Sequence, residues 1–428
     1  MTHLSDIKKK FEEFAVIKDE HVLDMLLATF VGNMIIPKDP IWTMIIAPSS
    51  GGKTLLISPF TNINHAFFVD DLTEKTLLSG FKVKGKETSL LKQIGSGMLC
   101  ISDYTSILSK NDISRKDILT QLRMVYDGNF IKRTGTGVLE WHGKIGMIAG
   151  CTPDIYHYLE NERSAGERYI YYWMDQPTDD EIISKQRQVH ISSKEITDIM
   201  RELYRSYIDD ITTWTNKHGI PELSVTDEQR KDIGRAAIFC VNGKTVVRTD
   251  YKTGKPDAIP TKAGVGRDAK MFDTILHTLQ VMDCYEHGDA TRTVQPWMIR
   301  IIEKLAYSSI NRERRKILEI LVDNGGAMTS SQIGAYEGLG LEKDSVNKYL
   351  VPLHAVGLVK KKTGGGAFSW FVDDTYVIDF ITRAKHTMVD HTPSAGIDLE
   401  AETANEKDIM EEFNKDREER KNDDEEAV

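Results

Sequence analysis

The chain is poor in cysteine and has no long apolar run, and each absence narrows what it can be. Its four cysteines, Cys100, Cys151, Cys240 and Cys284, are scattered over 428 residues. None forms a C-x-x-C pair, which argues against a zinc knuckle and a disulfide scaffold and fits a reducing cytoplasm. No stretch approaches the ~18 apolar residues that read as a bilayer span, so no membrane partner is expected. Met1 to Lys10 lacks an apolar core of signal-peptide type. The chain also lacks an excess of either charge along most of its length. The formal net charge is −10, but residues 397–428 hold 14 Asp/Glu against five Lys/Arg. The rest is nearly balanced, so charge does not exclude nucleic-acid binding. A 40% hydrophobic fraction supports buried cores, and domain-size priors suggest two or three domains.

What is present begins with the octet A-P-S-S-G-G-K-T, Ala47 to Thr54, directly after the apolar run Ile41 to Ile46. It reads as strand, small-residue turn, then helix start. Ser49, Ser50, Gly51 and Gly52 let backbone N–H groups approach a triphosphate, and the following helix N-terminus favours negative charge. Lys53 would reach the β- and γ-phosphates, and Thr54 would hold Mg²⁺. Ala47 stands where the usual pattern has its first glycine. Four further apolar runs suggest core strands: His65–Asp71, Gly97–Asp103, Ile145–Thr152 and Tyr169–Met174. With helical patterns between them, the expected fold is α/β with a mainly parallel sheet.

A phosphate loop needs a carboxylate beside the metal and a group that positions water. Asp103 ends its apolar run some fifty residues after Lys53. It would be the metal-side carboxylate or, with Ser102 in the metal position, the base. Asp70 and Asp71 are alternative bases. A capping role at the next helix is the structural alternative for Asp103. Thr152, in G-C-T-P, suits a γ-phosphate sensor or an ordinary turn. Arg168, and less so Arg163, lies on a loop before a strand, as an arginine finger toward a neighbouring subunit would. Pairing with Glu162 or Glu167 is the alternative. Arg267 opens a helix and suits a second γ-phosphate contact or a plain surface position. Phe130 to Trp141 reads as a glycine-tipped hairpin carrying Lys132 and Arg133 for a phosphate backbone.

Residues 177–309 look largely helical, with helices at Ile182–Lys217, Lys270–Tyr285 and Gln295–Ser308. Asn242-Gly243 and Thr253-Gly254 read as turns, and Lys244–Tyr251 as a strand. Arg312 to Asp373 shows three helical stretches, Arg314–Val322, Ser331–Tyr336 and Ser345–Val356, then a hairpin tipped by Gly364 to Gly366. That is the plan of a winged helix. Lys343, Asn347, Lys348 and His354 would face DNA from its third helix. Lys360, Lys361 and Lys362 would touch phosphates from the wing, and Arg312, Arg314, Arg315 and Lys316 add basic charge. Protein docking is the alternative role. Beyond Val389 the acidic composition reads as disorder.

The series A-P-S-S-G-G-K-T, G-M-L-C-I-S-D-Y, F-I-K-R-T-G-T-G, I-G-M-I-A-G-C-T-P and G-E-R-Y resembles AAA+ ATPases of the clade that includes the minichromosome maintenance helicases. It looks closest to related ATPases of phages and mobile elements. The resemblance covers roughly Ile41 to Met174. It implies a hexameric ring with ATP and Mg²⁺ at subunit interfaces, on Lys53, Thr54 and Asp103. Thr152 would be the sensor, Arg168 would act in trans, and Lys132 or Arg133 would grip DNA in the channel. The implied organisation is an ATPase core over 1–176, a helical lid over 177–309, a winged helix over 310–376 and an acidic tail over 390–428 that could dock replication proteins. The implied setting is the cytoplasm of a bacterial host if the chain is phage-encoded. Three things depart from the pattern. Asp103 lacks a companion Glu, the sensor is Thr rather than Asn, and only about forty residues precede the loop. A helicase loader that switches with ATP, or a DNA-binding regulator with a vestigial site, are the competing functions.

Overall fold

The five apolar runs form one parallel sheet in the order Ala66–Phe68, Gly97–Ile101, Ile145–Cys151, Trp42–Ile46, Ile170–Trp173. The computed structural model describes residues 1–19, 21–73, 75–79, 82–83, 86–87, 89–134, 137–160, 168–247, 256, 260, 262, 264–364 and 367–387. The four longer strands are buried at every position. That accounts for their near-continuous apolar sequence, since both faces are covered. Only the edge strand Ala66–Phe68 is half-buried.

Register decides which residues meet. Ile46 pairs with Cys151 and with Trp173, and Ile101 pairs with Ala149. The loops that follow the first, third and fourth strands in sequence therefore open on the same carboxyl edge. The chain leaves Trp42–Ile46 for the far edge, returns strand by strand to lie beside it, then crosses to its other flank. Ligands of such sheets bind outside the carboxyl ends where the order reverses, which here is beside Ile46.

Helix Val22–Ile35 covers one face and is buried over most of its length. Its polar residues are paired, as burial requires. Thr29 Oγ1 lies 2.7 Å from Thr43 Oγ1, and the Asn33 amide brackets Ile41 through bonds of 2.9 and 3.0 Å. The expected helix Ile182–Lys217 is two helices, Asp179–Gln188 and Ser193–His218. The break is chemical: Ser192 and Glu195 form a reciprocal capping box that starts a new helix. Asn242-Gly243 is not a turn. It lies inside helix Asp227–Lys244, where a Cβ on Gly243 would collide with Ile310. The glycine serves a close approach rather than a reversal. The expected strand Lys244–Tyr251 is not seen: Lys244 ends the helix, and residues 248–251 lie outside the described residues, as does Thr253-Gly254.

Helices Arg312–Asn324, Ser330–Gly334 and Lys343–Ala355 pack with an antiparallel sheet. Its order is Met328–Thr329, Ala367–Phe371, Lys360–Gly364. An additional helix, Thr375–Thr387, had no counterpart in the sequence reading. It folds back, with Phe380 ring to ring at 4.3 Å from Phe239 and Arg383 paired to buried Glu303 at 2.7 Å. Position 376 thus falls inside a helix. Residues 390–428 lie outside the described residues. Among the described residues no helix is long and apolar enough to cross a membrane.

Of the basic cluster Arg312, Arg314, Arg315 and Lys316, Arg314 and Arg315 are buried. Arg314 donates from Nη1 to the Gly243 and Thr245 carbonyls at 2.7 and 3.0 Å, closing the end of helix Asp227–Lys244. Arg315 lies 4.5 Å over the Trp173 ring. Replacing Arg314 by Ala should cost about 2–4 kcal/mol in urea denaturation, because two buried carbonyls lose their donor. Exposed Arg312→Ala should stay within about 0.5 kcal/mol of the parent.

Candidate functional site

The Trp42–Ile46 strand delivers the glycine turn to the carboxyl edge, where the Ala47 N–H donates to Cys151 O at 3.2 Å. The turn closes on itself through Gly51 N–H to Pro48 O at 3.0 Å. Ser50 and Gly52 have φ of 61° and 80°, the left-handed region. At Gly51 a Cβ would meet Gln176 Oε1 at 2.7 Å and Pro48 O at 2.9 Å, so backbone must stay bare there. Lys53 is only 9% exposed. Its Nζ donates to the Ala47 and Pro48 carbonyls at 2.8 and 2.6 Å, so the ammonium sits inside the curve of the turn. Burial lowers its pKa, and Cys151 and Asp103 oppose that shift. Thr54 is exposed on the first helical turn. Helix Lys53–Ile57 is short and passes into a 3₁₀ turn at Ser58–Phe60. Its dipole is accordingly weak, and the turn's N–H groups and Lys53 carry the attraction for an anion.

Asp103 follows the neighbouring strand but one and is exposed. Its Oδ1 accepts from the Thr105 and Ser106 N–H groups at 3.0 and 3.4 Å, so it caps helix Tyr104–Leu108. It is also close enough to Lys53 to act on its charge. Thr152 ends the adjacent strand. Its N–H donates to Thr105 Oγ1 at 2.8 Å, and its hydroxyl donates to Asp154 Oδ2 at 3.1 Å. Thr105 and Asp154 were missed in the sequence, although each stands two residues past a residue singled out. Asp70 and Asp71 follow the edge strand, three ladders or about 14 Å from the first strand, and Asp71 pairs with Lys110 at 2.8 Å. Spacing therefore favours Asp103 over both as the carboxylate for the turn.

Arg168 is elsewhere. Arg168 precedes the Ile170–Trp173 strand, at the amino edge. It grips Asp127 with Nη2 at 2.9 and 3.2 Å and lies 5.6 Å over the Tyr126 ring. Tyr126 in turn meets Trp42, the first residue of its strand, edge-on at 5.2 Å. The charge of Arg267 also acts on the Tyr126 phenol, whose pKa burial raises. A five-residue strand spans about 13 Å, so Arg168 does not share an edge with Lys53. Arg267 lies in the first turn of helix Val265–His287. Arg163 lies outside the described residues.

Beside the turn lies a cleft with a cavity volume of about 140 Å³. One wall is the segment of Phe14, Val16 and Ile17, the other Met174 and Pro177, with Ser50, Gly51 and Gly52 at its end. The sequence reading missed it, because its lining comes from segments far apart in the chain, 11–22, 50–56 and 174–186.

The hairpin Asn129–Thr134 with Gly137–His142 is present. Lys132 pairs with Leu139 and Arg133 with Val138, so the two basic side chains alternate to opposite faces. Arg133 shares its face with Ile131 and Val138, both 48% exposed. On the C-terminal unit Lys343, Lys348 and Lys362 are exposed. Asn347 is not directed outward. Its Oδ1 accepts from Ser330 Oγ at 2.7 Å, which in turn accepts from Trp370 Nε1 at 3.0 Å. His354 Nδ1 donates to Val359 O at 2.9 Å. Lys360 pairs with Asp373 at 2.7 Å, and Lys361 lies 3.4 Å over the Phe368 ring. Among the described residues no cluster of His, Cys, Asp or Glu is set to hold a metal on its own. Compared with protein-family models and with curated proteins, the chain matches none.

Two outcomes follow for purified protein. Gly51→Ala should reduce triphosphate affinity by about tenfold or more, since a Cβ forces the turn open, and a fluorescent-nucleotide titration reads this directly. Affinity should also fall as pH rises, at a pH below 10.5, because burial lowers the Lys53 pKa and binding needs the charged form. Lys53→Arg, which stays charged, should remove that alkaline limb.

Proposed function

We propose that this chain is an ATP-hydrolysing DNA motor of AAA+ type that works as a ring of identical subunits. The observation that carries the reading is the turn Ala47–Gly52 with the Lys53 ammonium folded into it, beside Asp103 and Thr152. Lys53 would exchange two carbonyls for phosphate oxygens. Thr54 and Asp103 would hold Mg²⁺, whose charge would offset that developing on the β- and γ-oxygens. Thr152, tied to Thr105 and Asp154, would orient the attacking water. The apolar cleft would take the nucleoside.

Arg168 sits on the opposite edge of the sheet, so it supports a site completed by an adjoining copy. Asp127, over half exposed, would hold the Arg168 guanidinium until a more strongly charged triphosphate is presented. Head-to-tail contacts of that kind close into rings. We read Arg312–Phe371 as a winged helix, with Lys343, Lys348 and Lys362 toward DNA, and Arg133 with its exposed apolar face as the hairpin contact to a strand. One observation favours the switch reading, a loader that binds ATP without unwinding: Asp103 is already engaged as a helix cap and has no acidic neighbour.

Mixing variants tests the shared site. Lys53→Ala and Arg168→Ala should each abolish ATPase and strand displacement. Their mixture should recover a measurable fraction, because some interfaces then pair an intact turn with an intact arginine. No recovery, with the protein monomeric in MgATP, would overturn the ring. ATP-dependent assembly on DNA without displacement would select the loader, and absence of nucleotide binding would leave a DNA-binding regulator.

A further inference from the structure

Helix Pro296–Ser308 sends one lysine to the back of the cleft, and that lysine joins its two walls. Lys304 Nζ lies 2.6 Å from Asp19 Oδ2 and 2.8 Å from Asp175 Oδ2. The three residues are 2%, 3% and 7% exposed. Asp19 ends the segment Phe14 to Asp19, and Asp175 opens the segment Asp175 to Pro177; both line the cleft. Neither segment belongs to a helix or strand, so side-chain bonds must hold them. Asp19 also accepts from Tyr172 OH at 2.7 Å, and the ammonium lies 4.9 Å from the Tyr172 ring. Gln176, next to Asp175, places its Oε1 2.7 Å from where a Cβ on Gly51 would stand. At the mouth, Lys18 and Glu181 pair at 2.5 Å across the same gap.

We propose that Lys304 is a positioning residue for the nucleoside: by binding Asp19 and Asp175 together it sets the separation of the cleft walls, and so the affinity for the base and sugar as distinct from the phosphates. The inference rests on the reading of the cleft as a nucleotide site. Burying an ammonium with its carboxylate partners is a poor means of stabilisation, since desolvation offsets the attraction. Its worth lies in geometry, because an ammonium between two carboxylates fixes both segments at hydrogen-bond distance.

The test uses the full chain and two ligands, MgATP and magnesium tripolyphosphate. The second fills the turn but not the cleft. The variants are Lys304→Met and Asp175→Asn, and the latter leaves Lys304 bonded to Asp19. For each variant MgATP affinity should fall by about tenfold or more while tripolyphosphate affinity stays within about twofold, as expected when walls shift by about 1 Å and the turn does not. Equal losses for both ligands with a lowered melting temperature would mean a structural role alone and would overturn the inference. Unchanged MgATP affinity in Asp175→Asn would overturn it as well, and that variant decides if Lys304→Met does not fold. Equal affinities of the parent for the two ligands would remove the cleft from recognition while leaving the turn. Failure of the parent to bind either would remove the nucleotide reading itself.

Discussion

The alignment of the central strands at their carboxyl ends is the constraint on which the rest of the molecule depends. Ile46 stands level with Cys151 and Trp173, so Ala47, Thr152 and Met174 leave the sheet side by side. The phosphate-sized turn, the threonine pair and the inner wall of the cleft are three consequences of that one register. A slip of one residue would move each side chain to the other face of the sheet, and these strands, covered on both faces, would lose their packing on each. The turn's own chemistry is secondary to this: Lys53 finds the Ala47 and Pro48 carbonyls because strand and helix hold the turn closed.

The same sheet divides the charged residues between its two edges. Lys53, Asp103 and Thr152 are on the carboxyl edge; Arg168 and Asp127 are on the other. A single copy cannot bring the two sets together, and this separation gives the assembly reading its physical content. The C-terminal helices are likewise tied to the body of the molecule. Arg315 covers Trp173, the residue before the cleft wall begins, Arg314 closes the helix of Gly243, and Phe380 packs on Phe239. Packed side chains therefore join this part of the chain to the sheet.

Local reading did not see the partners of several polar residues. Arg314, Arg315, Asn347, Lys360 and Lys361 each have one in the fold. Nothing near them in sequence announces it. Arg314 bonds residues some seventy positions away, and Asn347 is held by Ser330 and Trp370 through a chain of hydroxyl and indole bonds. Asn242-Gly243 failed for a related reason, because a glycine that admits Ile310 looks the same in sequence as one that turns the chain.

Sequence alone determined the strands, their parallel character, the turn and its Lys53, and the three-helix plan of the C-terminal unit. These depend on periodicity and on the conformational freedom of neighbouring residues, which act over a few positions. The tertiary structure decided which edge each functional group occupies, which arginines are spent on packing, and that a cleft held by Lys304 adjoins the turn. Those outcomes depend on contacts between residues more than a hundred positions apart, such as Asp175 and Lys304, where burial makes an unpaired charge too costly to leave and so forces a partner that no local pattern specifies.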